Sequence, residues 1–325
     1  MDRRDYYSGN YGSVGGKYLD PKADLTFKLV FGEHPDLVMS LLNALLPLEP
    51  DGEIMEVEYL TPEMVPENPG KKYSIVDVRC KDKQGRQFIV EMQLYWNPYF
   101  QQRVLLNASQ LLPCLGEVPA GRRGIDPQVQ LDRNEDYRLI QPVYCLSLVN
   151  DVGFKSGPDE FYHDYAIVNT EHPERRIEGL RFIFVELPKF KPKTIKEKKM
   201  AVLWLRFLTE IGGDSPDVPA ELLDNELTRK ALDIVEKSSM SEAQLYSYEQ
   251  FWRAVIDEQA LIAGGYNRGR AKGLAEGEAK GRAEGEAKGR EHEKIETARR
   301  MKEKGFSPSD IAELTGLDIE VVRKI

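Results

Sequence analysis

Apolar residues recur on one helical stripe through Leu25, Leu29, Val30, Leu37, Val38, Leu41, Leu42 and Leu45. Asp20-Pro21 reads as the start, an Asp cap followed by Pro in the first turn. The Gly32 to Pro35 region splits the stripe into two helices, and Pro47 ends it. Three segments then carry strand patterning: Ile54–Leu60, Tyr73–Lys81 and Gln87–Leu94. The last two flank the polar run Asp82–Arg86, which reads as a hairpin loop. Helical spacing returns over Pro98–Leu112, and Pro113–Asp136 is turn-rich, an expected exposed insertion. Ile140–Val149 and Leu180–Leu187 are further strands, with Tyr165–Asn169 as an edge strand between them. The order helix, strand, strand, strand, helix, strand predicts an α/β fold: one mixed sheet with helices packed on it.

The pattern changes beyond Pro188. Lys189 to Lys199 holds six lysines and one glutamate, either a solubilising loop or a phosphate-contacting patch. Helical segments over Ile195–Ile211, Ala220–Lys237 and Glu242–Ala263 read as a helical appendage. Glycines then occupy 265, 269, 273, 277, 281, 285 and 289, a strict period of four in a charged block. Each glycine costs roughly 1 kcal/mol against alanine inside a helix. The block therefore reads as a charged, partly helical linker, or as a helix that associates through its small stripe. Residues 295–325 resemble a small helix-turn-helix, with Ser307-Pro308 starting one helix, Gly316 stopping it and Asp318 capping another. Asp318 and Glu320 make the last helix poor in donors for DNA, which favours a packing or partner module. The expected organisation is a loosely ordered stretch at 1–19, an α/β domain at 20–190, the appendage at 191–263, the glycine segment at 264–294 and the module at 295–325.

The hairpin carries the candidate chemistry. A register centred on its loop pairs Val76 with Met92, Val78 with Val90 and Cys80 with Phe88, so that one face is apolar. The same register sets Asp77 opposite Glu91 on the other face, with Cβ atoms roughly 4.5–5.5 Å apart. Like charges so placed repel, and a divalent cation between them resolves the conflict. Gln93 points to the same face. Arg79 also lies there, and its pairing with a carboxylate would instead make this an ordinary solvated face.

Composition narrows the function classes. No run of eighteen apolar residues exists, so no membrane span is expected, and the polar N-terminus lacks a signal-peptide pattern, leaving the cytoplasm as the default compartment. Cys80, Cys114 and Cys145 lie far apart without a CxxC pair, which argues against structural zinc or a disulfide framework. His34, His163, His172 and His292 show no ligand spacing and are read as surface residues. The net charge of −9 disfavours non-specific nucleic-acid binding by the whole surface, though not a local basic groove.

The segments Asp24–Gly32 (DLTFKLVFG), Ile75–Val78 (IVDV) and Val90–Gln93 (VEMQ) resemble, in this order, the signature blocks of the PD-(D/E)XK nuclease-family transposases, also called the recombination-promoting nuclease (Rpn) family. Helix 98–112, with Arg103, stands where that family has its next helix. The resemblance covers about residues 20 to 190. It implies a restriction-endonuclease-like fold and Mg²⁺-dependent cleavage of DNA, with Mn²⁺ as an alternative ion. Carried over by position, Asp77 is the first metal carboxylate, Glu91 the second, Gln93 the third position of an ExQ triplet, and Asp24 the acidic residue of the first helix. Val76 replaces the name-giving proline of the wider superfamily, and Gln93 replaces its usual lysine. Gln93 takes no proton at neutral pH; orienting water or a phosphate oxygen is the role open to it. Asp24 has a rival reading as a first-turn acid favoured by the helix dipole, and Lys28 as a solvated lysine rather than a phosphate contact.

The expected activity is hydrolysis of DNA phosphodiester bonds by a metal-dependent endonuclease, with self-association through the C-terminal helices. The competing expectation is a catalytically idle, DNA-associated interaction protein that uses the fold as a scaffold. A third is a defence or mobile-element nuclease controlled by its C-terminal region.

Overall fold

The structure, a computed structural model, describes residues 16–61, 63–64, 74–111, 141–192, 199–213, 215 and 217–325. It divides into two compact units, Met1–Arg253 and Ala254–Ile325.

The first helix starts later than Asp20-Pro21 suggests. The Asp20 side chain accepts the amide of Lys22 at 2.9 Å and its carbonyl accepts that of Ala23 at 3.2 Å, so this dipeptide forms a turn. Helix α1 (Asp24–Phe27) follows and widens into a π-helical turn over Lys28–Gly32. That turn keeps Phe27, Val30 and Phe31 all in the core, and the Phe31 carbonyl accepts the Tyr59 hydroxyl at 2.8 Å. Pro35 opens α2 (Pro35–Leu45), whose stripe of Leu37, Val38, Leu41, Leu42 and Leu45 is buried.

The sheet is built from β1 (Val57–Tyr59), β4 (Val78–Asp82), β5 (Gln87–Gln93), β6 (Val143–Val149), β7 (Tyr162–Val168) and β8 (Arg176–Glu186). Short strands β2 (Glu63–Met64) and β3 (Ser74–Ile75) form a separate ribbon. The six-stranded order is β1-β4-β5-β6-β8-β7. β5, β6 and β8 run parallel at its centre, and the outer pairings are antiparallel. Helix α3 (Phe100–Ser109) connects β5 to β6 and packs on one face through Phe100, Val104 and Ala108. The opposite face packs against α1 and α2. The insertion expected at Pro113–Asp136 and the residues before Gly16 lie outside the described residues.

The β4–β5 turn is pinned by Asp82. Its carboxylate accepts the amides of Gln84 at 3.0 Å and Arg86 at 2.9 Å, and pairs with Arg86 Nε at 2.6 Å. Gly85 sits at φ +87°, where glycine carries no steric penalty. With the turn held, Val78 pairs with Val90 and Cys80 with Phe88, the register expected from the alternation.

The helices after β8 are not an appendage. Helix α4 (Lys199–Glu210), α5 (Ala220–Asp224) and α6 (Glu226–Val235) share the core of α1 and α2. Trp204, Leu205, Phe207, Leu208 and Leu232 are buried there, and Trp204 meets Phe31 edge-on at 5.4 Å. Asn225 splits the single helix expected over 220–237 by capping α6, accepting from Leu227 and Thr228. The end of the stretch expected to be loose is also tied down: Leu19 donates to the Val235 carbonyl at 2.9 Å, and Lys237 to that of Lys17 at 2.9 Å.

Helix α7 (Glu242–Glu303) begins in the first unit, where Tyr248 and Trp252 are buried. It continues through the glycine repeat, which is exposed throughout. In the second unit Ala298 packs with Ile311 of α8 (Pro308–Thr315) and Val322 of α9 (Ile319–Lys324). Ser307 and Asp318 cap these helices, and Gly316 ends α8 at φ +66°. Among the described residues no helix is long and apolar enough to cross a membrane.

Candidate active site

Strand β4 stops short of the full hairpin. Asp77 sits in a bend, and its Oδ2 accepts the amide of Met92 at 2.6 Å. A side chain thus takes the donor to which a continued ladder would offer a backbone carbonyl. The bend turns Val76 to the opposite face, where it packs with Ile89 and Phe100 while Val78 and Cys80 face α2. The single apolar face expected of Val76, Val78 and Cys80 is therefore divided at Asp77.

Glu91 lies on the α3 side of β5 and is buried, 6% exposed. Asn107 Nδ2 donates to its Oε1 at 2.7 Å. Glu91 Oε2 is buried and takes no hydrogen bond; the Arg103 Nη2 atom stands 3.8 Å away. Asp77 Oδ1 likewise takes no hydrogen bond among the described residues. Arg103 also donates to Gln93 Oε1, and Gln93 Nε2 donates to the Tyr95 carbonyl at 2.7 Å. The Gln93 amide is held at both ends. Arg79, the neutralising cation of the rival solvated-face reading, reaches Gln87 at 3.3 Å, and Arg103 is the cation that stands near the pair.

Loss of water dominates the electrostatics. Burial pushes the Asp77 carboxyl up to about 6; nearby Asp24 adds to the shift, and the Met92 amide, Lys28 and Arg103 oppose it. Burial raises Glu91 as well, with Arg103 and Asn107 opposing and Asp77 adding. Asp24 is bound by Lys28 one helical turn on, at 2.7 Å, so it acts on Asp77 as a screened neighbour.

Two carboxylates that burial drives toward their neutral forms, each leaving one oxygen without a donor among the described residues, fit a divalent cation. The ion would supply the partner that Glu91 Oε2 lacks, and would favour the ionised forms that burial disfavours. Among the described residues no group of three or more His, Cys, Asp or Glu side chains forms a ready cage. The remaining ligands would be water and substrate oxygens, the habit of Mg²⁺.

Other sequence expectations change. His163 is not a surface residue. It is buried, stacked on Phe154 at 4.2 Å and hydrogen-bonded to Glu186 at 3.0 Å. Lys189, first of the basic run, is buried in an ion pair with Glu186 at 2.5 Å, and Lys191 pairs with Asp159. These two lysines are structural; residues 193–198 lie outside the described residues. His34 is half-buried, its Nδ1 2.8 Å from the Leu29 carbonyl. Cys80 and Cys145 are free buried thiols.

Asn107 is a site residue that sequence reasoning passed over. Its signal was available: it falls on the stripe of Phe100, Val104, Ala108 and Leu111, where a polar side chain demands a buried partner.

A mixed six-stranded sheet flanked by helices, with Glu91 on β5 and Asp77 in the bend that precedes β4, defines a restriction-endonuclease-like α/β fold. The chain belongs to the PD-(D/E)XK nuclease family transposases, whose family model matches residues 21–265. That span takes in α4, α5 and α6 as well as the sheet. No curated protein and no solved structure matches the chain.

Proposed function

We propose that the protein is a Mg²⁺-dependent deoxyribonuclease that hydrolyses DNA phosphodiester bonds internally, in the service of recombination, with Mn²⁺ able to replace Mg²⁺. The observation that carries this reading is the Asp77–Glu91 pair, in which the buried Oε2 of Glu91 has no hydrogen-bond partner and the neighbouring Asp77 adds its charge to the same place, in a nuclease-family fold. A divalent cation held there supplies Lewis acidity toward the scissile phosphate and toward water.

The chain's own residues do the rest. Asp77 Oδ1 and Glu91 Oε2 present the coordinating oxygens. The Met92 amide and Asn107 fix the other oxygen of each carboxylate, so neither side chain reorganises when the ion arrives. The Gln93 amide is pinned at the same edge, ready to orient water or a phosphate oxygen if Arg103 releases it. Asp24 holds Lys28, and through it the charge balance beside Asp77. Cytoplasmic location and self-association through α7 and the helices after it belong to the same reading.

The test is cleavage of plasmid DNA by purified protein with Mg²⁺, with EDTA, and with the Asp77→Ala and Glu91→Ala variants. Nicking or linearisation that needs the ion and vanishes in both variants is expected. DNA binding without cleavage under every ion would support the idle-scaffold reading instead.

A further inference from the structure

Arg103 stands on α3 one turn before Asn107, at the open side of the carboxylate pair. Its side chain is 45% exposed, and its guanidinium lies over the ring of buried Phe100, 5.0 Å from the centroid. The Nη2 atom bonds the neutral amide oxygen of Gln93 and stands 3.8 Å from Glu91 Oε2. At that separation the contact with the carboxylate is one of charge, not a hydrogen bond. The other guanidinium N–H groups make no bond to protein among the described residues. Lys28, the other cation nearby, is committed to Asp24 at 2.7 Å.

We infer that Arg103 is the placeholder cation of this site: it balances Glu91 while no divalent ion is held, and turns outward to bind a phosphodiester oxygen of the substrate when one is. The inference rests on the metal-dependent reading above and extends it to how the site is loaded. Glu91 Oε2 is the one oxygen of that carboxylate not already bonded to Asn107, so ion and guanidinium compete for the same charge. An arriving divalent ion repels the guanidinium across a few ångströms. The response costs little, because the head is half in solvent and only a neutral amide holds it. A planar guanidinium with free donors is then set for bidentate contact with phosphate. Ion binding would thereby switch the exposed donor from protein to substrate.

The experiment is calorimetric titration of Mn²⁺ into full-length wild type, Arg103→Gln and Arg103→Lys, without DNA. A second arm measures anisotropy of a labelled duplex oligonucleotide in Ca²⁺. Arg103→Gln should bind Mn²⁺ about tenfold tighter than wild type, since one nearby positive charge is gone. It should bind the duplex about tenfold more weakly, through loss of one charge-assisted contact. Arg103→Lys keeps the charge and should stay near wild type for the ion. Arg103→Met, with its stem still over Phe100, gives the same comparison by a second route. Equal or weaker Mn²⁺ binding by the glutamine and methionine variants overturns the inference while leaving the metal site standing. A wild type that takes up no divalent ion overturns the metal reading itself.

Discussion

The backbone amide of Met92 donates to the Asp77 carboxylate at 2.6 Å, across the point where the β4–β5 ladder has stopped. The bond fixes one carboxylate oxygen by the sheet itself. It also sends Val76 to the α3 face, so the residues either side of Asp77 belong to different cores. A position that breaks strand alternation in this way places its side chain at the sheet's end with little freedom.

The metal-free protein should be stabilised by Asp77→Asn at neutral pH. Folded Asp77 titrates near 6 against an ordinary value of 3.8, so the folded state binds more protons between those values. Its contribution to stability is full below about pH 4 and lost as pH rises through 6. Asparagine keeps an oxygen for the Met92 amide and removes the charge. Thermal melts in EDTA should therefore show the variant ahead of wild type by on the order of 1–2 kcal/mol above pH 7, with the gap closing toward pH 4. Mg²⁺ should raise the melting point of wild type and hardly that of the variant. A variant clearly less stable at pH 7 without metal would mean that Asp77 serves structure through its charge.

Asn107→Ala should weaken divalent-ion binding roughly 10- to 100-fold, the usual cost of removing a side chain that holds a metal ligand. Gln93→Ala should lose less, because its amide is spent on Tyr95 and Arg103. Titration of Mn²⁺ into each variant, beside circular dichroism to verify the fold, separates the two. Wild-type ion affinity in a folded Asn107→Ala protein would show that Glu91 needs no such support.

A fragment ending at Phe190 should fail to fold, whereas one ending at Arg253 should fold. Cutting at 190 removes Trp204, Phe207, Leu208 and Leu232, and uncovers Phe27 and Phe31 beneath them. Leaving that much apolar surface bare costs far more than the stability of an ordinary domain. Cooperative melting of the 1–190 fragment would refute this. Sedimentation of the 1–253 fragment against the full chain tests self-association in the same preparation: equal numbers of chains per particle would remove α7 from that role.

The glycine segment of α7 should exchange its amide protons far faster than α2. Seven glycines at period four weaken the helix, and the facing Lys272–Glu276 and Lys280–Glu284 pairs, at 3.8 and 4.0 Å, are solvent-exposed and weak. A Cβ added at Gly273, Gly277 or Gly281 meets nothing within 4 Å. Replacing these three by alanine should add roughly 1 kcal/mol of helix stability each, read as slower exchange and higher helical circular dichroism. Unchanged exchange would mean that some partner already holds the helix.

Strand alternation and the polar run at 82–86 were enough to pair Val78 with Val90 and Cys80 with Phe88, because a period of two assigns faces and the Asp82-held turn assigns the register. The bend that breaks the ladder at Asp77 and divides Val76 from Val78 was not legible there. The same local rules located α2, α3 and the parallel strands, and the ordered blocks around Asp24, Asp77 and Glu91 pointed to the family. Local patterning says which face of an element is apolar, but not what covers it. Only the tertiary structure decided that α4 and α6 close the same core as α1, that Lys189 and His163 are drawn inward by Glu186, and that Arg103 rather than Arg79 stands by the carboxylates. Each depends on contact between residues distant in the chain, where packing and desolvation choose among partners that the sequence leaves equally available.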